Sequence, residues 1–319
     1  MIQYFTTDSS ELVTIDDQAA LTADHRWINL ESPTEDEINQ IAQLFKVSNF
    51  SLSSVLQDQE ISRVNFGKTP QENTSILLQY PKYETSPLGY LMHSTFPIMF
   101  IISEGSIITV SNHPASFIQH FVINQSSLQE TITDHENFAA RLIWFITKDF
   151  VTSLDKTAVQ MDLLERQLTS ATENEQIYQI MAIQKTIIDF KSSLAQNQKV
   201  IDQIKQNDSL FSTTPLTKTI SAVALKNEQA MTMANTQGEI LEQYSNMVSS
   251  VVSNNLNDVM KVLTSFTLIM TIPTIIVGIY GMNVDLPGAK LVSAFTLLML
   301  FTIVVCLITY LILKKRKYL

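Results

Sequence analysis

Hydrophobic and polar positions change their period twice along this chain. Over roughly the first 110 residues, short apolar runs lie between polar and turn-forming ones. The segments 2–5, 12–15, 76–80, 96–102 and 107–111 predict strands. The last two, joined by Ser103-Glu104-Gly105-Ser106, predict a hairpin. Two helices are predicted in the same stretch. Ser32 can cap the first, Pro33 suits its first turn, and Glu35, Asp36 and Glu37 sit at its positive end. Ile38, Ile41, Leu44 and Phe45 give it one apolar face. A second, short helix is predicted over residues 51–59.

From about residue 114 the period becomes helical. No glycine occurs between Gly105 and Gly238. Leu142, Phe145, Ile146, Phe150 and Leu154 recur at helical spacing, as do Met161, Leu164 and Leu168 and then Ile177, Ile180, Ile183, Ile187 and Ile188. This pattern predicts long helices over residues 132–204, interrupted at 207–215. A last helix is predicted from about Lys218 or Ile220 into the apolar end of the chain. Its length is about 60 residues, near 90 Å at 1.5 Å per residue. Two helices broken near Gly238 are the alternative.

The third period is apolar throughout. Residues 262–280 and 291–313 form two such runs, separated by 281–290 and followed by Lys314-Lys315-Arg316-Lys317. The second run is uncharged and exceeds the roughly 20 helical residues needed to cross a hydrocarbon layer. The first carries Thr264, Ser265, Thr267, Thr271, Thr274 and Pro273, unusually polar for a lipid-facing helix. The mean hydropathy of +0.11 averages over this split.

Charge follows the same division. The chain has 21 basic and 31 acidic residues. Lys261, Lys290, Lys314, Lys315, Arg316 and Lys317 lie after residue 260 with one acid, Asp285, so residues 1–260 carry a net charge of -15. That body repels nucleic acid and attracts cations. The basic tail favours the cytoplasmic side. A two-span hairpin then puts both termini in the cytoplasm, at a cell membrane, bacterial inner or plasma. No secretory signal is expected from Met1-Ile2-Gln3-Tyr4-Phe5. The single cysteine, Cys306, excludes an intrachain disulfide. His25, His93, His113, His120 and His135 show no metal-ligand or nucleophile spacing, and no glycine-rich phosphate loop is present, so an enzyme is not expected.

Polar or small residues of the first span share one face. Asn257, Met260, Thr264, Thr267, Thr271, Thr274 and Gly278 are spaced by 3, 4, 3, 4, 3 and 4. The spacing leaves two readings open. Threonine hydroxyls can bond back to their own helix while it packs on a neighbour. Alternatively, several copies around an axis can turn these faces onto water. Neutral hydroxyl, amide and carbonyl oxygens suit a cation that keeps its water shell, as magnesium does. Rings of Met260, with Leu263 nearby, would narrow such a passage and gate it by dewetting.

Tyr280-Gly281-Met282-Asn283, placed directly after the first of two C-terminal spans, resembles the signature of CorA-type magnesium transporters. Asn257-Asp258-Val259-Met260-Lys261-Val262-Leu263-Thr264 resembles the family's inner-pore segment, and Trp27-Ile28-Asn29-Leu30 with Pro33-Thr34-Glu35 resembles its N-terminal domain. The resemblance implies a homopentamer: an α/β cytoplasmic domain (1–115), a long-helix region (116–217), a stalk (218–261) continuous with a pore-lining span (262–280), an outer loop with the filter (281–290), a second span (291–313) and a basic tail (314–319). It implies that Gly281, Met282 and Asn283 form the filter and that Asn257, Met260, Leu263, Thr264, Thr267, Thr271, Thr274 and Gly278 line the pore. It also implies Mg2+ as substrate and regulator, the latter through cytoplasmic carboxylates, with Asp58, Glu60, Glu228, Glu239 and Glu242 as candidates. The chain departs from the pattern at Asn246, where a stalk acid is common. The function implied is potential-driven Mg2+ uptake gated by cytoplasmic Mg2+. The alternatives are transport of Co2+, Ni2+ or Zn2+ by the same fold, and a non-conducting, membrane-anchored Mg2+ sensor. Zinc-transporting relatives vary the middle position of the motif, which here is Met282.

Overall fold

The computed structural model describes residues 1–8, 11–15, 25–67, 72–103, 105–123, 132, 134–168, 174–207, 214–284, 293–316 and 318. Glu104 of the expected hairpin turn, most of the 207–215 interruption, and Asp285 with the rest of the outer loop lie outside them. The chain divides into two compact units, Met1–Ser245 and Asn246–Leu319.

The first unit is built on a mixed sheet of β1 (Ile2–Asp8), β2 (Glu11–Ile15), β3 (Arg26–Glu31), β4 (Arg63–Asn65), β5 (Thr74–Thr85), β6 (Leu91–Ser103) and β7 (Ser106–Ser111). Their order is β2-β1-β3-β7-β6-β5-β4, antiparallel except for β3 beside β7. Side chains alternate across the pleat. One face presents Ile28, Leu30, Ile108 and Val110 to Ile38, Ile41 and Leu52 of α1 (Glu35–Phe45) and α2 (Asn49–Ser54). On the other, Trp27 meets Phe121 and Phe138 edge-on, from α3 (Ser116–Ile123) and α4 (His135–Leu168).

The expected β6–β7 hairpin forms in the register Ser103 opposite Ser106, with Gly105 at φ 76°. Three local expectations change. The cap of α1 is Thr34, whose hydroxyl accepts from Glu37 N–H while the Glu37 carboxylate accepts from Thr34 N–H, a reciprocal pair. Ser32 instead takes a positive φ of 45° and donates to Asn112 O. The short helix is Asn49–Ser54 rather than 51–59. The strands β3 and β4 carry no alternating signal: β3 buries a polar residue, Asn29, and β4 has three residues.

Buried polar pins set the helices on this sheet. Where β4 ends, the Asn197 amide of α5 (Asn174–Gln206) replaces a strand: Gln79 N–H donates to Asn197 Oδ1, and Asn197 Nδ2 donates to Gln79 O, both at 2.8 Å. Further along α5, Thr186 Oγ1 accepts from His93 N–H. The long helix α6 (Thr214–Tyr280) is held to α5 by Asn227, which donates to Leu194 O and Gln198 Oε1. Gln237 ties it to α4 through Leu154 O. The helix continues through Gly238, where the missing Cβ makes room for the Lys191 ammonium, 2.5 Å from where that Cβ would sit.

In the second unit, the end of α6 pairs with α7 (Ala294–Lys315). Both helices carry a stretch long and apolar enough to cross a membrane, and almost nothing in those two stretches is buried within the protomer.

Candidate ion pathway

The pathway residues lie on the second unit. Along α6, Ser265 is fully buried and Ile269, Ile272, Pro273 and Ile276 are half-buried. These mark the face turned to α7, and Ile276 shares a cleft with Leu297, Leu298 and Phe301. The threonine seam lies roughly 150° away around the helix, at 100° per residue. Every member, from Asn257 through Met260, Thr264, Thr267, Thr271 and Thr274 to Gly278, is exposed. The seam is therefore not the surface on which the chain's own second span packs.

Three of its four hydroxyls are nonetheless satisfied. Thr267 donates to Leu263 O at 2.8 Å, Thr271 to Thr267 O at 2.7 Å and Thr274 to Met270 O at 3.1 Å. Back-bonding of this kind uses the hydroxyl hydrogen and leaves oxygen lone pairs pointing away from the helix. At Thr267, Thr271 and Thr274 the surface so made accepts hydrogen bonds and does not donate them. It matches the outward hydrogens of a hydrated cation and repels an anion. At the seam's C-terminal end, a Cβ added to Gly278 would meet nothing within 4 Å, so no packing inside the protomer requires glycine there. At its N-terminal end, Asn257, Met260 and Thr264 line a cleft with Asn254, Asp258, Lys261 and Tyr318. Leu263 lies beside it, 56% exposed.

The helix stops where the motif begins. Gly281 N–H bonds to Val277 O at 2.9 Å and Met282 N–H to Ile279 O at 3.2 Å, closing the last turn. A Cβ on Gly281 would press to 3.3 Å of Val277 O. Gly281, Met282 and Asn283 follow as exposed residues, with Asn283 two residues past the turn.

Two residues of this unit have roles that the seam does not announce. Pro273 has no N–H, so it leaves Ile269 O without its helical donor. The Cys306 thiol of α7 supplies one, at 3.8 Å. Ser265, one residue off the seam, donates to Tyr318 O at 3.3 Å and ties the tail to α6. The only sequence signal of Ser265 is a small polar side chain on the face opposite the threonines, and that of Cys306 is a small side chain in an apolar span.

The carboxylate candidates stand differently. Asp58 accepts from Asn112 Nδ2 at 3.1 Å and pairs with His113 at 2.9 Å. Glu60 is ion-paired with Arg63. Glu228, Glu239 and Glu242 are exposed on α6. Within one protomer these five do not converge, and among the described residues no three His, Cys, Asp or Glu groups are placed to hold a metal.

The CorA-like Mg2+ transporter family model matches residues 22–315, nearly the whole chain and both units. The chain belongs to that family. The cobalt/magnesium transport protein CorA of Methanocaldococcus jannaschii is 24% identical over 294 residues, covering 91% of this chain and 90% of that protein. Its namesake from Thermotoga maritima is 20% identical over 323 residues, covering 99% and 89%. The complete structure of the M. jannaschii CorA magnesium transporter superposes with a TM-score of 0.81 at 22% identity, over 98% of this chain and 96% of that one. At that identity the superposition speaks for the fold, and the fold is that of the family from the sheet to the second span.

Proposed function

We propose that this chain, as a homopentamer, forms a passive path for Mg2+ into the cell, with α6 as its wall and Asn283 as the ligand at its outer mouth. One observation carries the reading: the exposed, acceptor-only threonine face points away from α7 and ends at Gly281-Met282-Asn283. A single hairpin cannot enclose a pore, so the face needs other copies. The basic tail favours the cytoplasm, which supports a reading with the sheet domain there and the motif outside. An inside-negative potential drives a divalent ion with about 4.6 kcal/mol per 100 mV, twice the single-charge value. The reading assigns no catalytic residue and no resident cofactor. Mg2+ is the substrate and, at carboxylates shared between copies, the regulator. The three free candidates on α6, Glu228, Glu239 and Glu242, fit that role better than Asp58 and Glu60, whose oxygens already have partners.

The test is Mg2+ entry into vesicles holding the purified protein. Asn283→Ala should abolish entry with assembly intact; unchanged flux and selectivity would sink the filter assignment. Cobalt is the second reading, because both named relatives are cobalt/magnesium transport proteins. Competition of Co2+ with Mg2+ in the same vesicles decides between them.

A further inference from the structure

The last turn of α7 collects charge at the end of an apolar helix. Lys314, Lys315 and Arg316 are all exposed, and none makes an ion pair among the described residues. The residues just before them, Leu307, Ile308, Leu311 and Ile312, are 57, 51, 55 and 52% exposed, as side chains facing lipid must be. Tyr310 lies under the Lys314 ammonium at 5.9 Å and Tyr318 follows the turn. Tyrosines and lysines at this depth are interfacial residues, and a basic cluster there meets phosphate-bearing headgroups.

This turn is also mechanically connected. Arg316 N–H bonds to Ile312 O and Tyr318 N–H to Leu313 O, so the chain stays wound beyond the helix. Tyr318 O then accepts from the buried Ser265 hydroxyl. Ser265 neighbours Thr264 on the seam, and Tyr318 lines the cleft that holds Asn257, Met260 and Thr264. Whatever holds the tail therefore holds the inner end of the seam. With no counter-anion, the three like charges repel one another and loosen the wound tail; with anions between them they do not.

We propose that Lys314, Lys315 and Arg316 bind the headgroups of anionic phospholipids, and that the Ser265–Tyr318 bond carries this binding to the inner end of the pore helix. The second half rests on the transport reading above; the first does not.

The experiment uses the full chain in nanodiscs of phosphatidylcholine, with and without phosphatidylglycerol, and reads hydrogen exchange at Arg316 and Tyr318. Three basic side chains near the surface should slow that exchange by up to roughly a hundredfold in phosphatidylglycerol. K314Q/K315Q/R316Q should remove the difference; K315Q alone should reduce it, which covers the case that the triple variant misinserts. Equal exchange in the two lipids overturns the proposal. So does a difference that survives the triple variant, or equal protection by inorganic phosphate in phosphatidylcholine, which would make this a site for free anions. For the coupling, Mg2+ flux should differ between the two lipids, and Ser265→Ala should erase that difference while the protein still retains phosphatidylglycerol. A flux difference untouched by Ser265→Ala overturns the coupling. An exchange difference with no flux in either lipid would leave the lipid site standing and remove the transport reading.

Discussion

The two units of this chain handle their polar groups in opposite ways. The first buries them in pairs. Trp27 Nε1 donates to Thr109 Oγ1, which donates to Asn29 Oδ1, and Asn29 in turn reaches Gln3, all beneath an aromatic cluster. The second buries almost nothing: among its described residues only Val248 and Ser265 are buried. Thr267, Thr271 and Thr274 satisfy their hydrogens along their own helix and leave their oxygens exposed. A unit of the first kind is complete as one copy. On the proposed transport reading, a unit of the second kind is completed by lipid on one side and by other copies on the other. Substitutions in the first unit should therefore register as lost stability, and those in the second as lost transport.

The largest stability effect should come from Trp27→Ala, which empties the centre of the first core. A loss of about 3–5 kcal/mol is expected, measured by denaturant unfolding of the body's signal. A similar loss from Thr271→Val would break the comparison.

Acid should come next. His93 is 3% exposed and its pKa is lowered to about 4, mainly by burial and then by Lys156. Its ordinary value is near 6.5, so the unfolded chain binds the proton first. Stability from this group is whole above pH 6.5 and falls as the pH drops towards 4, by up to roughly 3 kcal/mol. Thermal melts between pH 7 and 4 measure it, and His93→Gln should flatten the slope.

Asn227→Leu removes a fully buried pin and strands the acceptors Leu194 O and Gln198 Oε1. About 1–3 kcal/mol should be lost from the body. If α6 is turned by this pin, flux should fall as well. In the second unit the comparison predicts the reverse pattern: Thr267→Val with Thr271→Val and Thr274→Val should leave assembly and melting unchanged while Mg2+ entry falls. Equal flux would show that the seam is not the wall. The smallest effect is Cys306→Val, which removes a weak donor to Ile269 O and should cost about 0.6 kcal/mol, a typical interhelical bond in lipid, by unfolding in mixed micelles.

Much of this was legible in the sequence. The two spans, the seam and the motif stand out because lipid and water impose strong periods, and a helix of 3.6 residues per turn converts spacing into a face directly. The β6–β7 hairpin was legible because Gly105 sits between two apolar runs. Other features depend on long-range partners that spacing does not record. Asn29 reads as a strand breaker until Thr109, 80 residues away, is seen to need it. Thr34 displaces Ser32 as the cap because Ser32 is drawn off to Asn112. Ser265 and Cys306 look like incidental polar residues until Pro273 and the tail give them acceptors. The carboxylates remain the least legible, since among the described residues of one protomer no three of them come together to hold a metal ion.

Gly278 illustrates how this division would surface in genetics. Nothing in the protomer presses on a Cβ at that position, and the helix runs through it unbroken. A screen that scores cellular abundance should therefore pass Gly278→Leu as silent. If copies meet around the proposed passage at this position, a screen that scores growth on scarce magnesium should reject it. Positions at which two such maps disagree would trace the conduit without any structure of the assembled protein.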